Sequence, residues 1–462
     1  MKTYPLTAAQ RMHDIWIRDY GTQQVSGVSM VAALKIPMEF DVLQRCMQME
    51  YERNGCMRLR FTKRNRQGEV KQYFSGKKRS IGEVPLIDLS GMSSQEADDT
   101  MQHWAYQTFD GDNIAMFEFK MVKLPHGFNG FFLHMDHRLV DSQGLAVLVG
   151  DLLRLYAHEV LGTKEPPELA DFSQVLERDL AKASNPRRLE KDKRFWDDQL
   201  DTLGEPLYSD IQGPSVLEES RRLHNDPTLR AADVEMTDTF VAVKDYYLEP
   251  EPTSRLMRFC EYNQLSVTNV ILLLIRTYLS KVNNGQEDIT IQNFISRRST
   301  RAEMASGGSR TIMFPCRTVI PPDMEFLDAA YEIQQAQNRI YLHGNYDPEL
   351  IREEMRKRYG TPPNTAYESC YLTYQPPAAS YETASLKGIP FYVKWFANGA
   401  ATKKMYLTVS HNSAGEMRFS YHYQTAHLVE NDIELLYYYM MKILFRGIND
   451  PHVTVGDIMA QV

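Results

Sequence analysis

Residues 131–142 constrain the fold of this chain most, because they join a strand pattern, a tight turn and the start of a helix. An apolar run leads to His137, and Asp141 follows four residues later. From residue 144 to residue 159 the apolar positions recur at helical spacing. A histidine at a strand end can expose a proton-transferring nitrogen, and a carboxylate across the turn can fix the shape of that turn. The pattern therefore predicts a general base with a structural support, although HxxxD fixes only two positions.

The bulk composition predicts a large, folded, two-part protein. The chain has 462 residues, about three times the size of a typical domain, and 43% of them are hydrophobic. Its net charge of −8 does not fit a nucleic-acid-binding protein, which needs a strongly basic face. We therefore predict two large lobes and no nucleic-acid partner.

The cysteines and the apolar runs bear on location. The five cysteines are widely spaced and form no CxxC pair, so we predict reduced thiols and no metal site. The start of the chain has no signal-peptide pattern, and apolar runs such as residues 270–275 are too short to span a bilayer. These features predict a cytoplasmic protein that is not inserted in a membrane.

Helical and strand patterns alternate in two halves with similar ingredients. Residues 162–196 are rich in proline and charge and are a candidate crossover between the halves, and residues 213–238 read as an irregular loop. The principal predicted helices cover residues 8–16, 41–53, 94–108, 252–262, 267–281, 327–341 and 428–445. The principal predicted strands cover residues 27–36, 117–123, 130–136, 289–294, 405–410 and 417–423.

Several short motifs occur in the order found in one known family. The chain resembles the condensation domains of nonribosomal peptide synthetases, members of the chloramphenicol acetyltransferase-like superfamily with an HHxxxDG motif. The resemblance covers nearly the whole chain. Residues 5–12 resemble the opening PLTxAQ motif, residues 53–61 resemble a degraded RHExLRTxF motif, and residues 136–142 resemble the HHxxxDG motif. Further along the chain, residues 170–172 resemble the DFA motif and residues 195–200 resemble the yW...L motif. Residues 308–317 resemble the GxFVNT region, residues 343–348 resemble HQDxPFE, and residues 374–377 resemble the strand that leads into the crossover latch.

The resemblance implies an α/β (α+β) fold with two chloramphenicol acetyltransferase-like lobes in a V-shaped pseudo-dimer. We place the lobes at residues 1–175, which carry the HxxxD motif, and 176–462. A tunnel between the lobes is implied, with the acyl donor entering one mouth and the acceptor the other. The family resemblance also suggests a monomer.

The resemblance implies that His137 is the catalytic histidine, placed where the donor and acceptor tunnels meet. Asp141 is expected to hold the loop without touching substrate, paired with an arginine, and Arg58 matches the family's arginine. Lining of the tunnel is a possible role for three further side chains. They are Asp136, His134 and Ser142.

The implied reaction transfers an acyl group from a thioester to an amine or alcohol and forms an amide or ester. An unperturbed histidine pKa near 6.5 suits removal of a proton from an amine. No bound cofactor is expected, because the phosphopantetheine arm of an acyl or peptidyl carrier protein, or coenzyme A, enters as part of the donor. The identities of donor and acceptor are left open.

Departures from the family motif leave alternatives. Asp136 replaces the first histidine, and Ser142 replaces the glycine where backbone packs tightly. The DxxxxD spacing of Asp136 and Asp141 resembles the heterocyclisation branch, although His137 favours amide or ester formation. A catalytically silent module that docks a carrier protein is the third reading, favoured by the departures at Asp136, Ser142 and Cys316.

Overall fold

The computed structural model describes residues 2–376 and 386–461, and within them the predicted mixture of helices and strands is confirmed. The helices are α1 (Ala8–Tyr20), α2 (Phe40–Arg53), α3 (Ser94–Trp104), α4 (Ser142–Leu161), α5 (Phe172–Ala183), α6 (Pro186–Leu203), α7 (Ser215–Leu223), α8 (Pro250–Tyr262), α9 (Val267–Val282), α10 (Arg301–Met304), α11 (Phe326–Leu342), α12 (Pro348–Tyr359), α13 (Glu430–Asn449) and α14 (Val455–Gln461). The strands are β1 (Tyr4–Pro5), β2 (Gly27–Leu34), β3 (Leu59–Phe61), β4 (Lys71–Phe74), β5 (Leu86–Asp88), β6 (Phe117–Lys123), β7 (Asn129–Asp136), β8 (Ala232–Asp233), β9 (Val241–Leu248), β10 (Asp288–Ser296), β11 (Thr311–Val319), β12 (Thr365–Ala366), β13 (Cys370–Tyr374), β14 (Phe391–Phe396), β15 (Met405–His411) and β16 (Met417–Gln424).

The chain divides into two compact units that differ from the predicted lobes 1–175 and 176–462. Unit 1 comprises Met1–Ser184, Ser296–Thr311 and Ala378–Ala400, and unit 2 comprises Asn185–Ile295, Ile312–Pro377 and Ala401–Val462. The predicted boundary falls inside α5, and two later segments return to unit 1. One of them contains β14, which pairs with β2 of unit 1. The V-shaped arrangement of lobes stays a prediction.

Unit 1 is built on a mixed sheet whose described strands have the order β14-β2-β7-β6-β5. The pairs β14–β2, β2–β7 and β7–β6 are antiparallel, and β5 runs parallel to β6. Apolar residues of β7 alternate between the two faces, as the period of a strand requires. Phe131, Leu133 and Met135 belong to the apolar core that includes residues of α2 and α4, whereas Phe132 packs with Met101 of α3.

The strand–turn–helix predicted from residues 131–159 is present in unit 1 as β7 followed by α4. β7 lies between two antiparallel neighbours, and α4 contributes Leu148 and Leu152 to the apolar core beneath it. Because β7 is paired on both edges and packed on both faces, the turn after Asp136 starts from a rigid position.

Unit 2 contains a sheet whose described strands have the order β11-β10-β13-β15-β16-β9. β10, β13 and β15 run parallel to one another, and β16 pairs antiparallel with β15 on one side and with β9 on the other. α9 is buried along almost its whole length and packs against α11 and α13. This burial explains why its sequence is apolar all round rather than on one stripe.

Three sequence interpretations are revised or limited by the structure. The predicted irregular loop at residues 213–238 contains the helix α7, and the predicted crossover at residues 162–196 contains α5 and most of α6. In the latch-like segment, Tyr374 ends β13 and residue 377 lies outside the described residues. No described helix alone is long and apolar enough to cross a membrane, and α8 with α9, bent by 109°, pass that test only as a pair, by length and composition.

Candidate active site

The turn that carries His137 connects two well-anchored elements of unit 1. The Leu139 amide donates to the Asp136 carbonyl at 2.9 Å and closes the turn. The His137 amide donates to the carbonyl of Ser26 at 2.7 Å, which ties the turn to the residue before β2. Asp136 and Asp141 are buried, whereas His137 is half-buried. The local sequence therefore holds the backbone of His137 in place from both sides.

Asp141 organises the start of α4 and the segment that returns to unit 1. It is the N-cap of α4, and one carboxylate oxygen accepts from the Gly144 amide at 2.8 Å. The other oxygen accepts from Arg298 Nη1 at 2.7 Å, from the Arg310 amide at 2.8 Å, and from the amide and hydroxyl of Thr311 at 2.9 and 3.0 Å. Although burial raises the pKa of Asp141, the Arg298 charge and these donors hold it well below its ordinary value.

The predicted pairing of Asp141 with Arg58 is wrong, because the partner is Arg298. The side chain of Arg298 is 0% exposed, and it also donates from Nη2 to the Gly308 carbonyl at 2.9 Å. Arg58 ends the short 3₁₀ turn Gly55–Arg58, is half-buried, and lies near Asp171 at the N-cap of α5. Burial raises the pKa of Asp171, but hydrogen bonds from Ser173 and the charge of Arg58 leave it lowered.

The close backbone approach expected at Ser142 occurs at Gly144 instead. Ser142 is the first residue of α4 and is half-buried. A Cβ on Gly144 would lie 2.7 Å from the Gly308 carbonyl oxygen and 2.7 Å from Val140 Cγ2. Since the glycine is needed three residues after Asp141, serine at position 142 does not obstruct this packing. A tunnel-lining role for Ser142 stays a prediction.

Asp136 has a structural set of contacts rather than the surface expected of a tunnel-lining residue. Its carboxylate accepts from the Arg138 amide at 2.7 Å, from Arg138 Nε and Nη2 at 3.0 and 2.9 Å, and from Gln23 Nε2 at 2.6 Å. Burial raises the pKa of Asp136, and the Arg138 charge outweighs it and lowers that pKa. The side chain is 1% exposed. These hydrogen bonds stabilise the turn by joining Asp136 to Arg138 and Gln23.

His134 is packed inside unit 1, on the same face of β7 as Asp136. Its Nδ1 lies 2.7 Å from Ser29 Oγ of the neighbouring strand, and its ring stacks on Phe109 with centroids 4.8 Å apart. Burial lowers the pKa of His134, which favours a neutral ring. With 1% of the residue exposed, His134 does not line an open surface in unit 1.

Sequence reasoning missed His13, which packs directly on His137. The two imidazole rings are stacked, with centroids 4.2 Å apart and planes 18° from parallel. Two other residues of α1 also bind the turn: Gln10 Nε2 donates to the Arg138 carbonyl at 3.2 Å, and Asp14 accepts from Arg138 Nη1 at 3.2 Å. The signal in the sequence is the i, i+3, i+4 spacing of these three polar residues, which places them on one helix face.

The described residues contain neither a cluster of metal-ligating side chains nor an exposed thiol. Within residues 2–376 and 386–461, no group of three or more His, Cys, Asp and Glu side chains is placed to hold a metal ion. All five cysteines are unpaired and buried. Burial raises the pKa of Cys316 to about 11, so its thiol is a poor nucleophile at neutral pH.

Comparison with known proteins agrees with this architecture. The condensation-domain family model matches residues 1–460. The first condensation domain of the calcium-dependent antibiotic synthetase has a TM-score of 0.79 at 16% identity, covering 99% of both chains. The starter condensation domain of rhizomide synthetase RzmA, solved in complex with C8-CoA, has a TM-score of 0.78 at 16% identity and covers 98% of this chain and 97% of that one. The fold is therefore that of the chloramphenicol acetyltransferase-like proteins.

A curated relative points to the same family. Surfactin synthase subunit 1 of Bacillus subtilis (strain 168) is 22% identical over 474 residues, which cover 98% of this chain and 12% of that protein. The chain thus spans only a small part of the length of this relative. It belongs to the condensation-domain family, the acyltransferases that form amide bonds in nonribosomal peptide synthesis. The resemblance inferred from the sequence motifs is confirmed.

Proposed function

We propose that this chain transfers an acyl group from a thioester to the amine or alcohol of a small acceptor, in nonribosomal peptide or related secondary metabolism. The donor is carried by the phosphopantetheine arm of a carrier protein or by coenzyme A. Family membership supports the reaction class, and the solved complex of a related starter domain with C8-CoA supports thioester donors. The donor brings its own arm, so the reaction needs no other cofactor.

The observation that carries the proposal is the contrast between His137 and the two aspartates of the turn. Asp136 and Asp141 are buried and accept four and five hydrogen bonds, respectively. His137 lies between them and is half-buried. The two carboxylates support the turn, and the imidazole is the group that reaches a substrate.

The chemistry assigned to His137 is general base catalysis. As the acceptor nitrogen bonds to the thioester carbonyl carbon, the neutral imidazole takes the proton that this nitrogen loses. The C–S bond then breaks, and the imidazolium returns the proton to the departing thiolate, so the ring is neutral again. Assistance of this kind typically contributes roughly 10²–10⁴-fold in rate. Asp141, held by Arg298, keeps the turn in position and does not touch the substrate.

The heterocyclisation and silent-module alternatives are outcomes of the same experiment. The contacts of Asp136 favour condensation over heterocyclisation, because its carboxylate is occupied by Arg138 and Gln23. A heterocycle would appear as a product one water lighter than the amide when the acceptor carries cysteine, serine or threonine. A silent module would bind a carrier protein and form neither product.

The test is acyl transfer measured by mass spectrometry. The purified chain is given acyl-coenzyme A and acyl-carrier donors with mixed amines and alcohols, and wild type is compared with His137→Ala. His103→Ala is the matched control, because His103 is exposed on α3 and bonds a carbonyl of its own helix. We expect product from wild type and His103→Ala and a loss of at least about 100-fold in His137→Ala. Equal rates in all three proteins would remove His137 from the mechanism.

A further inference from the structure

We propose that His13 is a positioning residue for His137: its stacked ring sets the plane of the catalytic imidazole. This inference rests on the proposed function, because it assigns His13 a role in the reaction of His137. Motif comparison with the family did not single out His13; the stack in unit 1 does.

Helix α1 is rigidly fixed where His13 lies. Thr7 and Gln10 form a capping box at its start, with bonds of 2.9 and 3.3 Å. The Gln10 amide also pairs with the amide of Gln72 on β4 at 2.7 Å. Trp16, one turn further along α1, packs edge-on against His13 with centroids 4.9 Å apart. His13 is 5% exposed and therefore offers a fixed surface.

One face of α1 contacts the catalytic turn at three points. Gln10 holds the carbonyl of Arg138, His13 stacks on the ring of His137, and Asp14 binds the Arg138 guanidinium. Asp14 is itself held by Arg64 Nη2 at 2.9 Å. The backbone of the turn is thus fixed by hydrogen bonds, and the ring of His13 stacks on the ring of His137.

The stack on His13 restricts the rotation of the His137 ring. The ring torsion of histidine is broad and roughly two-fold, so backbone anchoring alone does not fix the imidazole plane. Proton transfer needs the nitrogen within hydrogen-bond reach of the acceptor, and a loose ring spends less time there. A stacked neighbour at 4.2 Å restricts that rotation while leaving the opposite face of the ring uncovered by His13.

Two substitutions separate stacking from other roles of His13. His13→Phe keeps a flat ring and removes the nitrogens, and His13→Leu keeps a similar volume but removes the flat ring. The interaction free energy of a stacked aromatic pair is large enough to change a rate by about 2- to 10-fold. We expect His13→Phe to retain kcat within about twofold and His13→Leu to lose about 2- to 10-fold in kcat, both with unchanged KM. Equal kcat in both variants would overturn the positioning role.

A readout without turnover keeps the inference separate from the proposed function. In NMR spectra of histidine-labelled protein, the ring protons of His137 are assigned by comparison with His137→Ala. We expect them to lie upfield in wild type and His13→Phe, because a stacked ring shields them, and to move downfield in His13→Leu. Unchanged shifts in a folded His13→Leu would refute the stack. If His137→Ala retains activity while the shifts still depend on an aromatic ring at position 13, the rings stack but the stack has no catalytic role.

Discussion

The pairing of Asp141 with Arg298 makes a sharp prediction about stability, and Arg298→Met tests it. Methionine keeps an unbranched apolar stem and deletes the guanidinium. It leaves the Asp141 carboxylate with its four other donors but without a counter-charge, in a site where the Asp141 side chain is 2% exposed. It also removes the donor to the Gly308 carbonyl. An uncompensated buried charge is among the costliest single defects in a folded protein.

The expected magnitude follows from that burial. Removing one partner of a buried ion pair typically costs about 3–5 kcal/mol. For a cooperative unit of this size, that corresponds to a melting temperature lower by roughly 6–20 °C. Arg58→Met is the matched control, because Arg58 is half-buried and has no bond to Asp141; we expect a cost of about 1 kcal/mol. The double variant Asp141→Asn/Arg298→Met should cost less than the sum of its single variants.

The assay is thermal unfolding at pH 7 followed by tryptophan fluorescence. Three of the four tryptophans, Trp16, Trp104 and Trp395, belong to unit 1, so the signal reports mainly on the unit that contains the pair. The loss in Arg298→Met should shrink as the pH falls, because removal of the Arg298 charge raises the pKa of Asp141 above its wild-type value, so that the carboxyl of the variant becomes neutral at a higher pH. An Arg298→Met variant that melts no lower than Arg58→Met would refute the reasoning.

Two further predictions concern the same region of unit 1. Gly144→Ala should destabilise by about 1–3 kcal/mol, because its Cβ would lie 2.7 Å from the Gly308 carbonyl oxygen; Gly150→Ala in the same helix meets only Arg154 at 3.5 Å and should be neutral or stabilising in the same melting assay. For Glu303, burial raises the pKa and the Ser299 amide, Lys182 and Arg310 lower it, to about 2 from an ordinary 4.5. The ionised Glu303 carboxylate stabilises the fold above pH 4.5, and this stabilisation is lost as the pH falls toward 2. Glu303→Gln should therefore flatten the pH dependence of the melting temperature between pH 4.5 and pH 2. Glu165→Gln is the control, because Glu165 is exposed, and it should leave that pH dependence unchanged. A pH dependence unchanged from wild type would contradict the assignment.

Local patterns allowed most elements of the fold to be predicted. The predicted strand of residues 130–136 and the predicted helix of residues 144–159 depend on side-chain periodicity within one segment, and both appear within about two residues of the prediction as β7 and α4. Helix α7 was missed because its short, charged sequence has no long apolar stripe. Its position depends on packing with β8, which the sequence pattern does not display.

The candidate site was predictable only where its contacts are local. Asp141 caps α4 by accepting a hydrogen bond from the Gly144 amide three residues later, and the turn motif revealed it. Arg298 lies 157 residues away, and its contact requires the chain to return to unit 1, which no local pattern indicates. Arg58 was chosen from motif order, yet motif order does not specify which of several arginines reaches a buried carboxylate. His13 was missed because its contact with His137 joins residues 124 positions apart, and no local pattern indicates which helix face packs on the turn.

The return of two late segments to unit 1 has a consequence for biogenesis. A ribosome that has released residues 1–184 has delivered Asp141 without Arg298, and β2 without its edge partner β14. Such a nascent chain exposes an unpaired strand edge and buries an unbalanced charge, which are conditions that favour aggregation. Unit 1 therefore becomes complete only after about residue 396 has emerged, and until then the unpaired edge of β2 is open to pairing with other chains.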